Sequence, residues 1–67
     1  MSAYARGTRV SYHGSLTEYH GDEWYVMGQS FQGQYDLRHG RFPWILEYVS
    51  RRSITPVEVL YQLHEDD

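Results

Sequence analysis

The sequence predicts a mainly β domain of about five short antiparallel strands followed by a short C-terminal helix. Three observations carry that prediction. Residues 22–49 read as three β-prone runs separated by glycine-bearing turns, residues 7–12 form another alternating run before them, and Thr55-Pro56-Val57-Glu58 carries the chemistry of a helix start.

In the central stretch, Trp24, Tyr25, Val26 and Met27 put Trp24 and Val26 on one face of a strand and Tyr25 and Met27 on the other. Gln34-Tyr35-Asp36-Leu37-Arg38 alternates cleanly, with Tyr35 and Leu37 pointing one way, as a half-buried strand does. Between the two, Phe31-Gln32-Gly33 supplies a glycine for the positive φ of a tight hairpin. His39-Gly40 marks the next turn, and Pro43, which has no N–H, suits the opening of the third strand, Trp44–Val49, or an edge position. In that strand Leu46 and Val49 are three residues apart, so both face inward only if a bulge shifts the alternation between them.

Met1 to Ala5 is expected to be a flexible tail, after which Gly7–Tyr12 places Val10 and Tyr12 on the core side of the first strand. The glycine-led strand GTRVSYHG, followed by a loop and by EWYVMG, resembles the start of the small Src-homology-3-like β-barrels, in particular the KOW and Tudor type. The resemblance covers about the first thirty residues and implies a five-stranded barrel. Two departures limit what it implies about ligands. The acidic-aromatic motif of peptide-binding Src-homology-3 domains has no equivalent here, and the second strand opens with Asp22-Glu23 where KOW segments carry a basic run. The loop at 15–21 is expected to be an ordered turn that ends at Gly21, the alternative being a single helical turn, for which Ser15 and Glu18 have capping-box spacing. Tyr19 and His20 at its tip are candidate contact residues.

Ile54 is expected to complete the barrel as a fifth strand. Thr55 then stands at an N-cap, Pro56 at the first helical position and Glu58 at N3, predicting a helix over 56–65 whose face Val57, Leu60, Tyr61 and His64 docks on the barrel or a partner. The β-branched content of Val57–Tyr61 supports a terminal strand as the competing reading.

Composition narrows the function classes. Sixty-seven residues make one domain, and without cysteine the fold has neither a disulfide nor a thiolate metal site, which favours a partner or self-association. A net charge of −3 is a poor start for non-specific nucleic-acid binding. The chain has no apolar run of bilayer length and no secretory apolar segment near residue 1, so the expected location is the cytoplasm, without a membrane partner. His13, His20, His39 and His64 lack metal-ligand spacing and read as solvated turn and loop residues. Nothing converges on a nucleophile, a base and an orienting group, so neither an enzyme, a cofactor nor a small-molecule substrate is expected.

The candidate binding residues are Arg38, Arg41, Trp44, Tyr48, Arg51 and Arg52, with Tyr19 and His20. If the turns at 39–41 and 50–53 share one end of the barrel, the four arginines cluster beside aromatic rings, an arrangement suited to an acidic protein segment or to single-stranded nucleic acid. The expected function is therefore a non-catalytic protein-binding module, the alternative being a nucleic-acid-binding regulator that uses the four arginines.

Overall fold

The structure, a computed structural model, describes residues 3–57. It contains β1 (Arg9–Tyr12), β2 (Trp24–Gln29), β3 (Tyr35–His39), β4 (Ile45–Val49) and β5 (Ile54–Pro56). All are paired antiparallel in one sheet of order β4-β3-β2-β1-β5. The sheet is not closed: among the described residues no ladder joins β4 to β5. Among the described residues the helical pieces are three single 3-10 turns, Thr17–Tyr19, Phe31–Gly33 and Arg51–Ser53. No helix among the described residues is long and apolar enough to cross a membrane.

Alternation decides which side chains go inside. Val10 and Tyr12 of β1, Trp24 and Val26 of β2, Tyr35 and Leu37 of β3, Leu46 and Val49 of β4, and Ile54 of β5 form one buried cluster. Removing each of these side chains from water is worth about 1.5–3 kcal/mol, and together they supply the apolar core that a cysteine-free chain requires. Leu46 and Val49 both reach it because the β3–β4 ladder slips. Tyr35 faces Val49 and Leu37 faces Leu46, leaving Glu47 and Tyr48 opposite Asp36 alone. At this bulge Tyr48 has φ 59°, and its N–H donates to Asp36 Oδ1 at 3.2 Å. A second irregularity in β2, between Val26 and Gly28, leaves Met27 without a cross-strand partner in β3.

Two expectations are corrected. Thr55 and Pro56 do not begin a helix: they lie in β5, opposite Ser11 and Val10. The Val57 N–H continues the pairing by donating to the Arg9 carbonyl at 2.9 Å. The local cap chemistry loses because β1 would otherwise present an open edge, and Pro56 is tolerated because β5 is itself an edge strand. The rest of the expected helix, including Leu60, Tyr61 and His64, lies outside the described residues.

Tyr4, expected in a loose tail, is anchored. Its N–H donates to Tyr35 Oη at 3.0 Å, its ring packs 5.4 Å from that of Tyr35, and the Arg51 guanidinium lies 4.0 Å from its centroid. The loop after β1 makes one 3-10 turn, with Leu16 at its N-cap position and no side-chain cap, so the helical turn of the alternative reading is present without the capping box that Ser15 and Glu18 are spaced for. The Leu16 N–H is satisfied instead by the Tyr12 hydroxyl at 3.2 Å.

Candidate functional site

The site is built on the turn between β3 and β4. The inward alternation Tyr35, Leu37 continues to His39, which is 7% exposed, so this histidine is a core residue and not the solvated turn residue that the sequence suggests. Its Nδ1 accepts the main-chain N–H groups of Arg41 and Phe42 at 2.9 and 3.1 Å. An acceptor Nδ1 puts the proton of the neutral ring on Nε2. Nε2 is 3.1 Å from Asp22 Oδ2 but has no hydrogen-bond partner, so the N–H points off the line of that oxygen and the contact is a close electrostatic approach. The turn is closed further by His39 N–H to the Trp44 carbonyl (2.9 Å) and by Gly40 N–H to the Glu23 carbonyl (2.8 Å).

Around the imidazole the rings stack in order. Trp24 meets His39 edge-on at 4.9 Å, Trp44 and Phe42 meet it at 5.0 and 5.3 Å, and Phe42 and Trp44 stack on each other at 4.7 Å. The buried histidine thus fixes two half-exposed aromatic residues by main-chain bonds and ring contact together.

Tyr19 of the first loop joins the group. Its ring packs edge-on against Trp24 and Trp44 at 5.9 and 6.0 Å, and its carbonyl accepts the Trp24 indole N–H at 3.1 Å. The loop is therefore held near the start of β4. Farther along β4 the two separate and leave a groove of about 340 Å³, with Tyr12, Ser15 and Leu16 on one wall and Leu46 to Ser50 on the other, closed by Ser53. The groove occupies the gap where the sheet fails to close. Tyr48, 59% exposed, stands on its wall. Of the large apolar residues left exposed, Leu16, Phe42, Trp44, Ile45 and Tyr48 all belong to this turn, to β4 or to the facing wall.

The candidate residues named from sequence do not form one cluster. Arg38 and Arg41 lie at the end of β3 next to the aromatic turn, with the Arg41 guanidinium 5.8 Å from the Phe42 ring. Since β4 runs back antiparallel to β3, Arg51 arrives at the opposite end, where its Nη1 donates to Tyr35 Oη at 3.2 Å. Four residue steps separate these ends, roughly 13 Å. Arg51 is structural, tying Tyr4 and Tyr35 together, and Arg52 beside it is exposed. Tyr48 lines the groove and Trp44 stands half-exposed just before β4, Tyr19 is partly buried packing, and His20 is used internally, its Nε2 donating to the Gly14 carbonyl at 2.6 Å.

Residues that the sequence reading overlooks are Leu16, Asp22 and His39. For His39 a signal exists, the continued alternation from Leu37; for Asp22 and Leu16 none does, because their partners come from other strands. Among the described residues no three acidic or histidine side chains gather as metal ligands would.

The outer face of the sheet carries one perturbed group. The Tyr25 hydroxyl donates to Glu23 Oε2 at 2.7 Å, and this bond, with some desolvation and the carboxylate's charge, raises its pKa above the ordinary 10.0 against the opposing pull of Arg9 and Arg38. A raised folded-state value means that the bond stabilises the fold below the unfolded-state pKa, and that the contribution is lost as pH rises through the folded-state one. The tyrosinate absorbance titration of the wild type minus that of Tyr25→Phe should show a midpoint above 10.0. The Glu23→Gln variant should bring this midpoint down, and an unmoved midpoint would contradict the assignment to Glu23.

Compared with family models, curated proteins and solved structures, the chain matches none.

Proposed function

We propose that this chain is a non-catalytic protein-binding module of Src-homology-3-like architecture that takes a partner segment along β4. Two features support the architectural reading: β5 returns to pair with β1 after three hairpin-linked strands, and a 3-10 turn carries the chain from β4 into β5. The contact surface is the groove with Tyr48 and Leu46 on its wall, extended by Trp44, Phe42 and Arg41 at the turn.

The observation that carries the functional reading is Tyr48. A non-glycine residue in the left-handed region is disfavoured by about 1–2 kcal/mol, and such outliers concentrate where a side chain must be held for use. Tyr48 is held there by the bulge and the Asp36 carboxylate, and its ring goes to solvent rather than to the core. Tyrosine and tryptophan exposed together on a rigid edge give large contact area with little entropy to lose.

The test is selection of a displayed peptide library on the purified protein, alongside titration with short single-stranded and duplex oligonucleotides at two salt concentrations, followed by tryptophan fluorescence. Enriched peptides that compete for one surface are expected, with no oligonucleotide response at low salt. Oligonucleotide binding that weakens steeply with salt, without peptide enrichment, would replace this reading with the nucleic-acid one.

A further inference from the structure

We propose that the turn joining β3 to β4 is a pH-sensitive switch: a second proton on the His39 ring opens the main chain at Arg41 and Phe42, while Asp22 keeps the charged ring in place. The neutral ring is fully committed on one side. Nδ1 accepts both main-chain N–H groups, at 2.9 and 3.1 Å, so the ring proton is on Nε2 and the one site left for another is Nδ1 itself. An imidazolium donates from both nitrogens and accepts at neither, so a proton on Nδ1 would point at two N–H groups. Both bonds must break when the ring is charged. With them goes the main-chain hold on Phe42 and, through the stacked rings at 4.7 Å, the support of Trp44.

Asp22 is what separates a switch from simple acid unfolding. Nε2 lies 3.1 Å from Asp22 Oδ2, yet this buried donor makes no hydrogen bond in the neutral state. Once released from the two N–H groups, the ring can turn its Nε2–H onto that oxygen and form a charge-assisted bond. The imidazole therefore exchanges partners without leaving the core: two main-chain N–H groups when neutral, one carboxylate when charged. The other charged groups around it do not offer that partner. Glu23, just before β2, is engaged by Arg9 and Tyr25 on the outer face, and Arg38 of β3 lies over Tyr25 on the same face. Arg41 in the turn, with its guanidinium 5.8 Å from the Phe42 ring, carries the same sign as the charged imidazole and opposes protonation. The remaining neighbours, Trp24, Phe42 and Trp44, are uncharged rings. Imidazole suits such a role because its charge ordinarily changes near neutrality. The switch operates in the turn itself, whether or not the groove along β4 binds protein.

A pH series on the wild-type protein tests the switch by NMR. Ring nitrogen shifts report the protonation of His39, and hydrogen-exchange protection of the Arg41 and Phe42 amides reports the turn. The Val26 amide, which donates to the Thr8 carbonyl at 2.9 Å, is the reference for the fold as a whole. Protection at Arg41 and Phe42 is expected to fall about tenfold or more, with the same midpoint as the ring, while Val26 stays protected. Asp22→Asn should lower that midpoint, since a carboxylate beside the ring favours its charged form. His39→Asn keeps a short acceptor that takes up no proton over this range, so its two amides should stay protected throughout. Ring protonation with both amides still protected, loss of Val26 protection at the same midpoint, or a ring that stays neutral until the fold is lost would each overturn the proposal. So would an unmoved midpoint in Asp22→Asn, or His39→Asn amides that open over the same pH range.

Discussion

Replacing Trp24 with alanine is expected to unfold the domain. Trp24 is fully buried, and its indole joins the first loop to β3 through the Tyr19 carbonyl and the rings of Tyr19 and His39. Truncating a buried tryptophan to alanine costs about 3–5 kcal/mol, and a core of this size supplies about 3–5 kcal/mol in total. The cavity would thus consume the whole margin. Trp24→Phe keeps most of the volume and loses the N–H, so it should fold with the first loop released from β4. Denaturant unfolding read by circular dichroism decides the point: a Trp24→Ala protein that stays within about 1 kcal/mol of wild type would mean that the core is organised elsewhere.

His39→Ala is expected to be the next most damaging change, at about 2–4 kcal/mol, since it strands the Arg41 and Phe42 N–H groups and removes the ring on which Trp24, Phe42 and Trp44 converge. Two further variants separate those contributions. Asparagine retains a short acceptor able to reach N–H groups two and three residues on, whereas phenylalanine retains the ring and offers no acceptor. Both should fall between wild type and alanine, and Trp44 fluorescence should shift toward the solvent-exposed value most in His39→Ala. If His39→Phe were as stable as wild type, the two main-chain bonds to Nδ1 would contribute nothing and the turn would be held by stacking alone.

The fold was readable wherever the information was local. Alternation in 9–12, 24–29 and 35–38 gives the right inward residues, and the three-residue gap between Leu46 and Val49 gives the bulge, because a period-two chain has no other way to bury both. Thr55-Pro56 misleads for the converse reason. Its cap chemistry is local, while the competing partner, the free edge of β1, lies more than forty residues earlier in the chain. The arginine grouping fails on topology: adjacency in sequence says nothing about which end of an antiparallel hairpin a loop occupies, and Arg51 lands on Tyr35 instead of beside Arg38. His39 and Asp22 illustrate the same limit within the site. The alternation from Leu37 points His39 inward, but only β2 and β3 laid side by side bring Asp22 to its imidazole.

The account turns on Tyr48, and one paired measurement tests it most directly: the stability of Tyr48→Gly, and its affinity for peptides selected on the wild-type protein. Glycine removes the left-handed strain, worth about 1 kcal/mol, and little burial is lost with a ring that is 59% exposed. The predicted result is a protein as stable as wild type or more so, whose peptide affinity falls by about tenfold or more, as expected when an exposed aromatic anchor is lost. A Tyr48→Gly protein that is clearly less stable, or that binds the same peptides as well as wild type, would show that the bulge serves the fold alone and that the groove along β4 is not the binding surface.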